Sequence, residues 1–155
     1  MIKQEHEFRE RRVADRRAGS HRAIREFVHV RTEMLSRYGK LASHQPFAQD
    51  GEVGVLLQKF CEALIDYTAS AHFQLYRFIE DNNERRRPVK KVADKNYDDI
   101  MTTTGSILEF NDKYEGNAVV SRPEELKNDL STLGETLAQR IELEDKVIKE
   151  LTATR

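Results

Sequence analysis

The chain has 155 residues, of which 38% are hydrophobic and 34% charged, with only 7 Gly, 3 Pro and a net charge of −1. This size fits one domain with a sizeable core, and the composition favours charged, amphipathic helices over a turn-rich β-protein or a disordered chain. The single cysteine, Cys61, excludes an internal disulfide and any cysteine-based zinc site, and no apolar run approaches a membrane span.

Before Gly19 the chain is highly charged, without the apolar core of a signal peptide, so a cytoplasmic protein is expected. Its apolar residues Ile2, Phe8 and Val13 are sparse, and a further N-terminal helix is left open. The first clear segment is expected from about Ser20, a plausible N-cap after the break at Gly19, to Leu41. Ile24, Val28, Arg31, Leu35 and Tyr38 share one of its faces. A breaker stretch, Ser43–Gly51 with Pro46, ends it.

The second segment, Glu52 to Glu80, has the strongest periodicity. Val53, Leu57, Phe60, Leu64, Ala71, Leu75 and Phe78 keep three-and-four spacing. A second breaker stretch, Asp81–Asn96, contains Asn82-Asn83, Arg85-Arg86-Arg87 and Pro88. The third segment, about Lys95 to Tyr114, is the weakest. Tyr97, Met101, Thr104 and Leu108 form its expected face, and Thr102-Thr103-Thr104-Gly105 lowers its helix propensity. After Gly116–Pro123, Ser121-Arg-Pro-Glu124 reads as a capping box with Pro in the first turn. The fourth segment then runs to about Thr152 on Leu126, Leu130, Leu133, Leu137, Ile141, Ile148 and Leu151. Four such segments predict an all-α, antiparallel four-helix bundle of long helices.

Some side chains do not belong on these faces. Each helical residue turns about 100° around the axis. With Leu64 as zero, Asp66, Ala69, Ser70 and Phe73 fall on the far side from the core. Phe73 is then a lone exposed hydrophobe, or packs under the N-terminal segment, or anchors a protein-binding strip. On the first segment, Glu26 and His29 lie on the polar face, where surface charge alone accounts for them. Arg31 and Glu144 both sit on apolar stripes, which predicts either a charge pair inside the bundle or two side chains near a bundle end reaching water.

Chemistry-bearing patterns are scarce. Di-metal bundles need two inward Glu-x-x-His pairs. Only Glu26-Phe-Val-His29 matches, facing outward, and residue 69, which would pair with His72, is Ala. His6, His21 and His44 lie in charged or loop segments. There is no glycine-rich phosphate loop and no Gly-x-Ser-x-Gly. No cofactor, no metal and no catalysis are expected. The basic sets Arg9, Arg11, Arg12, Arg16, Arg17 and Arg85–Lys91 are interleaved with acids and read as solvated surface rather than a nucleic-acid site.

Three stretches carry a family resemblance. Phe60-Cys61, Leu64, Asp66-Tyr67, His72-Phe73 and Tyr76 resemble the signature helix of the Rsd/AlgQ anti-sigma regulators, F-C-x-x-L-V-D-Y-x-S-A-G-H-F-x-x-Y. Phe27-Val28-His29-Val30-Arg31 stands where that family has R-W-L-H-x-R. Leu130 to Ile148, with Gly134-Glu135, Arg140 and Leu143-Glu144-Asp145-Lys146, is similar to L-x-x-L-G-E-x-L-x-x-R-x-x-L-E-D-K-x-I. The resemblance implies a helical bundle that binds the C-terminal, −35-reading domain of the primary sigma factor and lowers its availability to RNA polymerase, so that alternative sigmas compete better. It also implies a partner surface on Asp66, Ala69 and Phe73; Ser70, Glu26 and His29 are expected to belong to that surface too, and the protein is expected to be monomeric or weakly self-associating. The sequence departs from the pattern at Ala69-Ser70-Ala71 for S-A-G, at Glu26 for Arg and at Phe27 for Trp. An adaptor of the same fold for another regulatory protein is the competing reading, and a metal-binding bundle the third.

Overall fold

The structure, a computed structural model, describes residues 2–47, 51–76, 87–116 and 122–152, and within these the side chains of all but residues 2–20, 76, 87–95 and 97. The described residues form helices α1 (Ile2–Ala42), α2 (Gly51–Ser70), α3 (Arg87–Tyr114) and α4 (Pro123–Thr152), with a π-helical turn, Ala71–Tyr76, continuing α2. No strand is present among them.

Each helix runs antiparallel to its neighbours in the order α1, α2, α3, α4 and back to α1. Phe27 stacks on Tyr67 with ring centroids 5.9 Å apart, and Tyr38 meets Phe60 edge-on at 5.7 Å, which pairs α1 with α2 in reverse. Phe60 meets Phe110 at 5.9 Å, and Gln58 Nε2 donates to the Tyr114 carbonyl, joining α2 to α3. The Tyr114 hydroxyl donates to Asp129 on α4. The Tyr38 hydroxyl donates to the Leu130 carbonyl at 2.9 Å and closes the ring of helices.

The α2 stripe lies where its spacing places it. Val53, Leu57, Phe60, Leu64, Ala71 and Leu75 are buried, together with Cys61 and Tyr67. Phe78 and Ser121 lie outside the described residues. On α4 the buried series is Leu126, Leu130, Leu133, Leu137, Arg140, Glu144, Val147 and Leu151, an unbroken four-three alternation, and Ile141 and Ile148 flank it, half-buried. Pro123 opens α4, where its missing N–H costs nothing, and Glu124 and Glu125 face the positive end of the helix dipole.

Four expectations need correction. Helix α1 does not begin at Ser20 but runs through Gly19. One interior glycine costs only about 1 kcal/mol, too little to end a helix whose second half is packed. The α1 face is set by Ile24, Phe27, Met34 and Leu41, while Leu35 is 40% exposed. The expected stripe was the neighbouring one on the same helix. Helix α3 starts at Arg87, inside the expected breaker, because Pro88 falls in a first turn that tolerates it. Its buried face is Asn96, Ile100, Thr103, Ile107, Phe110, Asn111 and Tyr114, and Met101 and Leu108 point outward.

Candidate functional site

The polar side chains inside the bundle form one layer. Arg140, 2% exposed, reaches from α4 to two other helices. Its Nε donates to the Tyr67 hydroxyl at 3.0 Å and to Glu144 Oε2 at 3.2 Å. Its Nη1 donates to Thr103 Oγ1 at 3.2 Å, to Thr104 Oγ1 at 2.6 Å and to the Ile100 carbonyl at 3.4 Å. Tyr67 in turn donates to Glu144 Oε2 at 2.7 Å. Arg31 joins from α1, with Nη1 3.5 Å from Glu144 Oε1 and 2.9 Å from Asp145 Oδ1. Arg31 and Glu144 therefore come together, but the nearer and more buried cation is Arg140.

Arg140 was missed in the sequence because the stripe was read through Ile141. The series 133, 137, 140, 144 was the available signal. The threonine run that weakens α3's helix propensity has its use here. Thr103 and Thr104 donate back to the Ile100 carbonyl and accept from Arg140. Burial pushes the Glu144 carboxyl above its ordinary value, against the pull of Arg140, the Tyr67 hydroxyl and Arg31. Burial, followed by the Glu144 charge, likewise raises the Tyr67 phenol.

Ile65, Thr68, Ala69, His72 and Phe73 keep the i, i+3, i+4, i+7, i+8 spacing of one helical face, and these five line one wall of a groove between α2 and α3. Ile100, Met101, Thr104 and Leu108 line the other wall, and Arg140 contributes to the floor. The groove volume is about 440 Å³. Phe73 is 56% exposed and Met101 51%; with Ile65 and Leu108 they are four of the six large exposed hydrophobics among the described residues.

Of the residues singled out from sequence, Ala69 and Phe73 line the groove. Asp66 is exposed on the same helix outside it, as are Glu26 and His29 on α1. Ser70 is half-buried, and its Oγ is buried without a hydrogen-bond partner among the described residues. Met101, Leu108 and Ile65 are the site residues that the sequence reading did not find. Two adjacent apolar stripes on α3, one through Ile100 and Ile107 and one through Met101 and Leu108, were the signal that one of them must face out.

Cys61 is buried, and burial, with Glu115 and Glu62, pushes its thiol up to about 12, far from a reactive thiolate. Among the described residues no group of three or more His, Cys, Asp or Glu is placed to hold a metal ion, and no helix is long and apolar enough to cross a membrane.

Residues 8–152 match the family model described as regulator of RNA polymerase sigma(70) subunit, Rsd/AlgQ. The chain is 31% identical over 143 residues to the regulator of sigma D of Yersinia enterocolitica, covering 88% of this chain and 84% of the relative. It is 31% identical over 141 residues to that of an Enterobacter strain, with coverage of 88% and 84%, and 28% identical to that of Yersinia pseudotuberculosis, with 88% and 83%. No solved structure matches the chain.

Proposed function

The chain belongs to the Rsd/AlgQ family of regulators of the RNA polymerase sigma(70) subunit, and on that premise we propose that it is an anti-sigma factor that binds the C-terminal, −35-reading domain of the primary sigma factor. Binding there lowers the supply of the housekeeping sigma to RNA polymerase and favours alternative sigmas. The protein acts by occupying its partner, without catalysis, in the cytoplasm.

The observation that carries this reading is the exposed Phe73 ring, 56% accessible, on the helix that also exposes Asp66 and Ala69. A domain that reads DNA is basic. Asp66 offers it an ionic partner, Phe73 supplies an apolar anchor, and Ala69 lets the two surfaces approach closely. Glu26 and His29 extend the polar rim on α1. Ser70 contributes by its position at the junction with the π turn, since its hydroxyl is turned inward.

The test is calorimetric titration of the full chain with the isolated C-terminal domain of its own organism's primary sigma. One-to-one binding at micromolar affinity or tighter is expected. Phe73→Ala and Asp66→Ala are each expected to weaken it at least tenfold, roughly 1.4 kcal/mol, with thermal stability nearly unchanged because both side chains are exposed. Unchanged affinity in both variants would remove the proposed surface. No binding by the unaltered chain would remove the sigma reading and leave a family fold turned to another regulatory protein.

A further inference from the structure

The groove between α2 and α3 has a second property besides its share in Phe73. Its volume of about 440 Å³ lies in the range of small-molecule sites, and like them it is mainly apolar with a few convergent polar groups. The polar groups are not equivalent. Thr68 and Thr104 line it, but each hydroxyl donates to its own helix, to the Leu64 and Ile100 carbonyls. The remaining donors are Arg140 and the imidazole of His72.

Arg140 is bonded on one side only. Its hydrogen bonds leave from Nε and Nη1. Nη2 has no acceptor among the described residues. Arg140 itself is among the residues that line the groove. Beneath it Arg140 bonds the fully buried carboxylate of Glu144, and Arg31 bonds Asp145, whose side chain is 57% exposed, at 2.9 Å. No carboxylate lines the groove among the described residues. Among the described residues, Arg140 is thus the one guanidinium in the lining of an apolar slot that no carboxylate lines.

We propose that this groove binds a small carboxylate with an apolar body, a medium-chain fatty acid in its simplest form, whose carboxylate accepts from Arg140 Nη2 and whose chain lies against Ile65, Phe73, Met101 and Leu108. A charge-assisted hydrogen bond is strong in such surroundings because little water competes for it. An alcohol of equal length accepts the same bond only as a weaker, neutral acceptor, and an ammonium cannot accept it. Phe73 belongs to both surfaces, so an occupied groove competes with the protein partner for its ring. That last step alone rests on the sigma reading.

The probe is decanoate below its micelle concentration, titrated into the full chain while the methyl resonances of Met101, Ile100 and Leu108 are followed, with decanol and decylamine in parallel. Saturable one-to-one shifts confined to the groove are expected for decanoate, with at least tenfold weaker binding of the other two. Leu108→Glu, at an exposed position, is expected to abolish the decanoate shifts while leaving the melting temperature in place, and Met101→Glu serves the same purpose where the first variant fails to fold. The absence of a saturable shift, equal binding of all three probes, or decanoate binding unaltered in a folded glutamate variant would each overturn the proposal. The titration involves no sigma domain, so its failure and that of the anti-sigma reading are separate results.

Discussion

The two ends of the bundle are held by opposite chemistry. Toward the turn between α1 and α2, Tyr38, Phe60, Phe110 and Tyr114 pack ring against ring, with centroids 4.8 to 5.9 Å apart along the chain of contacts. Toward the π turn, the centre is filled by Arg140, Glu144 and Tyr67, with Thr103, Thr104 and Arg31 around them. An aromatic end loses contacts in proportion to what is removed. A buried polar layer fails as a unit, because taking away one member strands the charge of another. The exposed groove lies beside the polar layer, so the least forgiving part of the core is also the part that sets the angle between the groove walls.

Breaking the polar layer is expected to produce the largest effect. Glu144→Ala leaves Arg140 and the partly buried Arg31 without their shared carboxylate and is expected to cost about 3–5 kcal/mol, read as a lowered urea midpoint at unchanged slope. A loss under about 1 kcal/mol would mean that water reaches Arg140 freely and that the two ends differ only in residue type. At the aromatic end the sensitive point is a close approach. A Cβ added at Gly134 would collide with the Tyr38 hydroxyl and sit 3.1 Å from its Cζ. Gly134→Ala gains about 1 kcal/mol of helix propensity, yet it must displace a ring hydrogen-bonded to Leu130 and packed on Phe60. A net loss of about 1–2 kcal/mol is expected. In a Tyr38→Phe background that loss is expected to shrink by more than half. Strict additivity in this double-mutant cycle would place the strain elsewhere.

The same contrast explains what was legible from sequence. Helices α2 and α4 carry strong apolar stripes, so the bundle and the outward position of Phe73 could be read from spacing, although the second half of the α4 stripe was placed on Ile141 and Ile148 instead of Arg140, Glu144 and Val147. Helices α1 and α3 carry two neighbouring stripes, and in α3 the buried one is punctuated by Asn96, Thr103 and Asn111. A reading based on apolarity alone therefore preferred Met101 and Leu108, and the groove was invisible because its second wall was assigned to the core. Arg140 was hidden for the same reason, as a cation on a leucine stripe whose partners come from α2 and α3. The π turn has no signature of its own in Ala71–Tyr76, since i→i+5 bonding is decided by what packs against the turn.

The smallest effect is expected in the pH response, where the two ends pull in opposite directions. At the aromatic end, burial works to raise the Asp129 carboxyl, but the Lys113 ammonium and the Tyr114 hydroxyl outweigh it and hold it below its ordinary value of 3.8. A depressed carboxyl contributes stability that is whole above that value and is lost as pH falls through the lowered one. Glu144 has the reverse sign. Its carboxyl is raised above 4.5, so its ionisation is costlier in the folded chain, and stability declines as pH rises from 4.5 through the raised value. Urea midpoints between about pH 3 and about pH 7 separate the two. Asp129→Asn is expected to flatten the acid-side loss, and Glu144→Gln the decline above 4.5, each leaving the other limb in place. A Glu144→Gln variant that keeps the decline would mean that the two arginines, rather than burial, govern that carboxylate in the folded protein. The polar layer would then be a fully ionised cluster, Arg140 with Glu144 and Arg31 with Asp145.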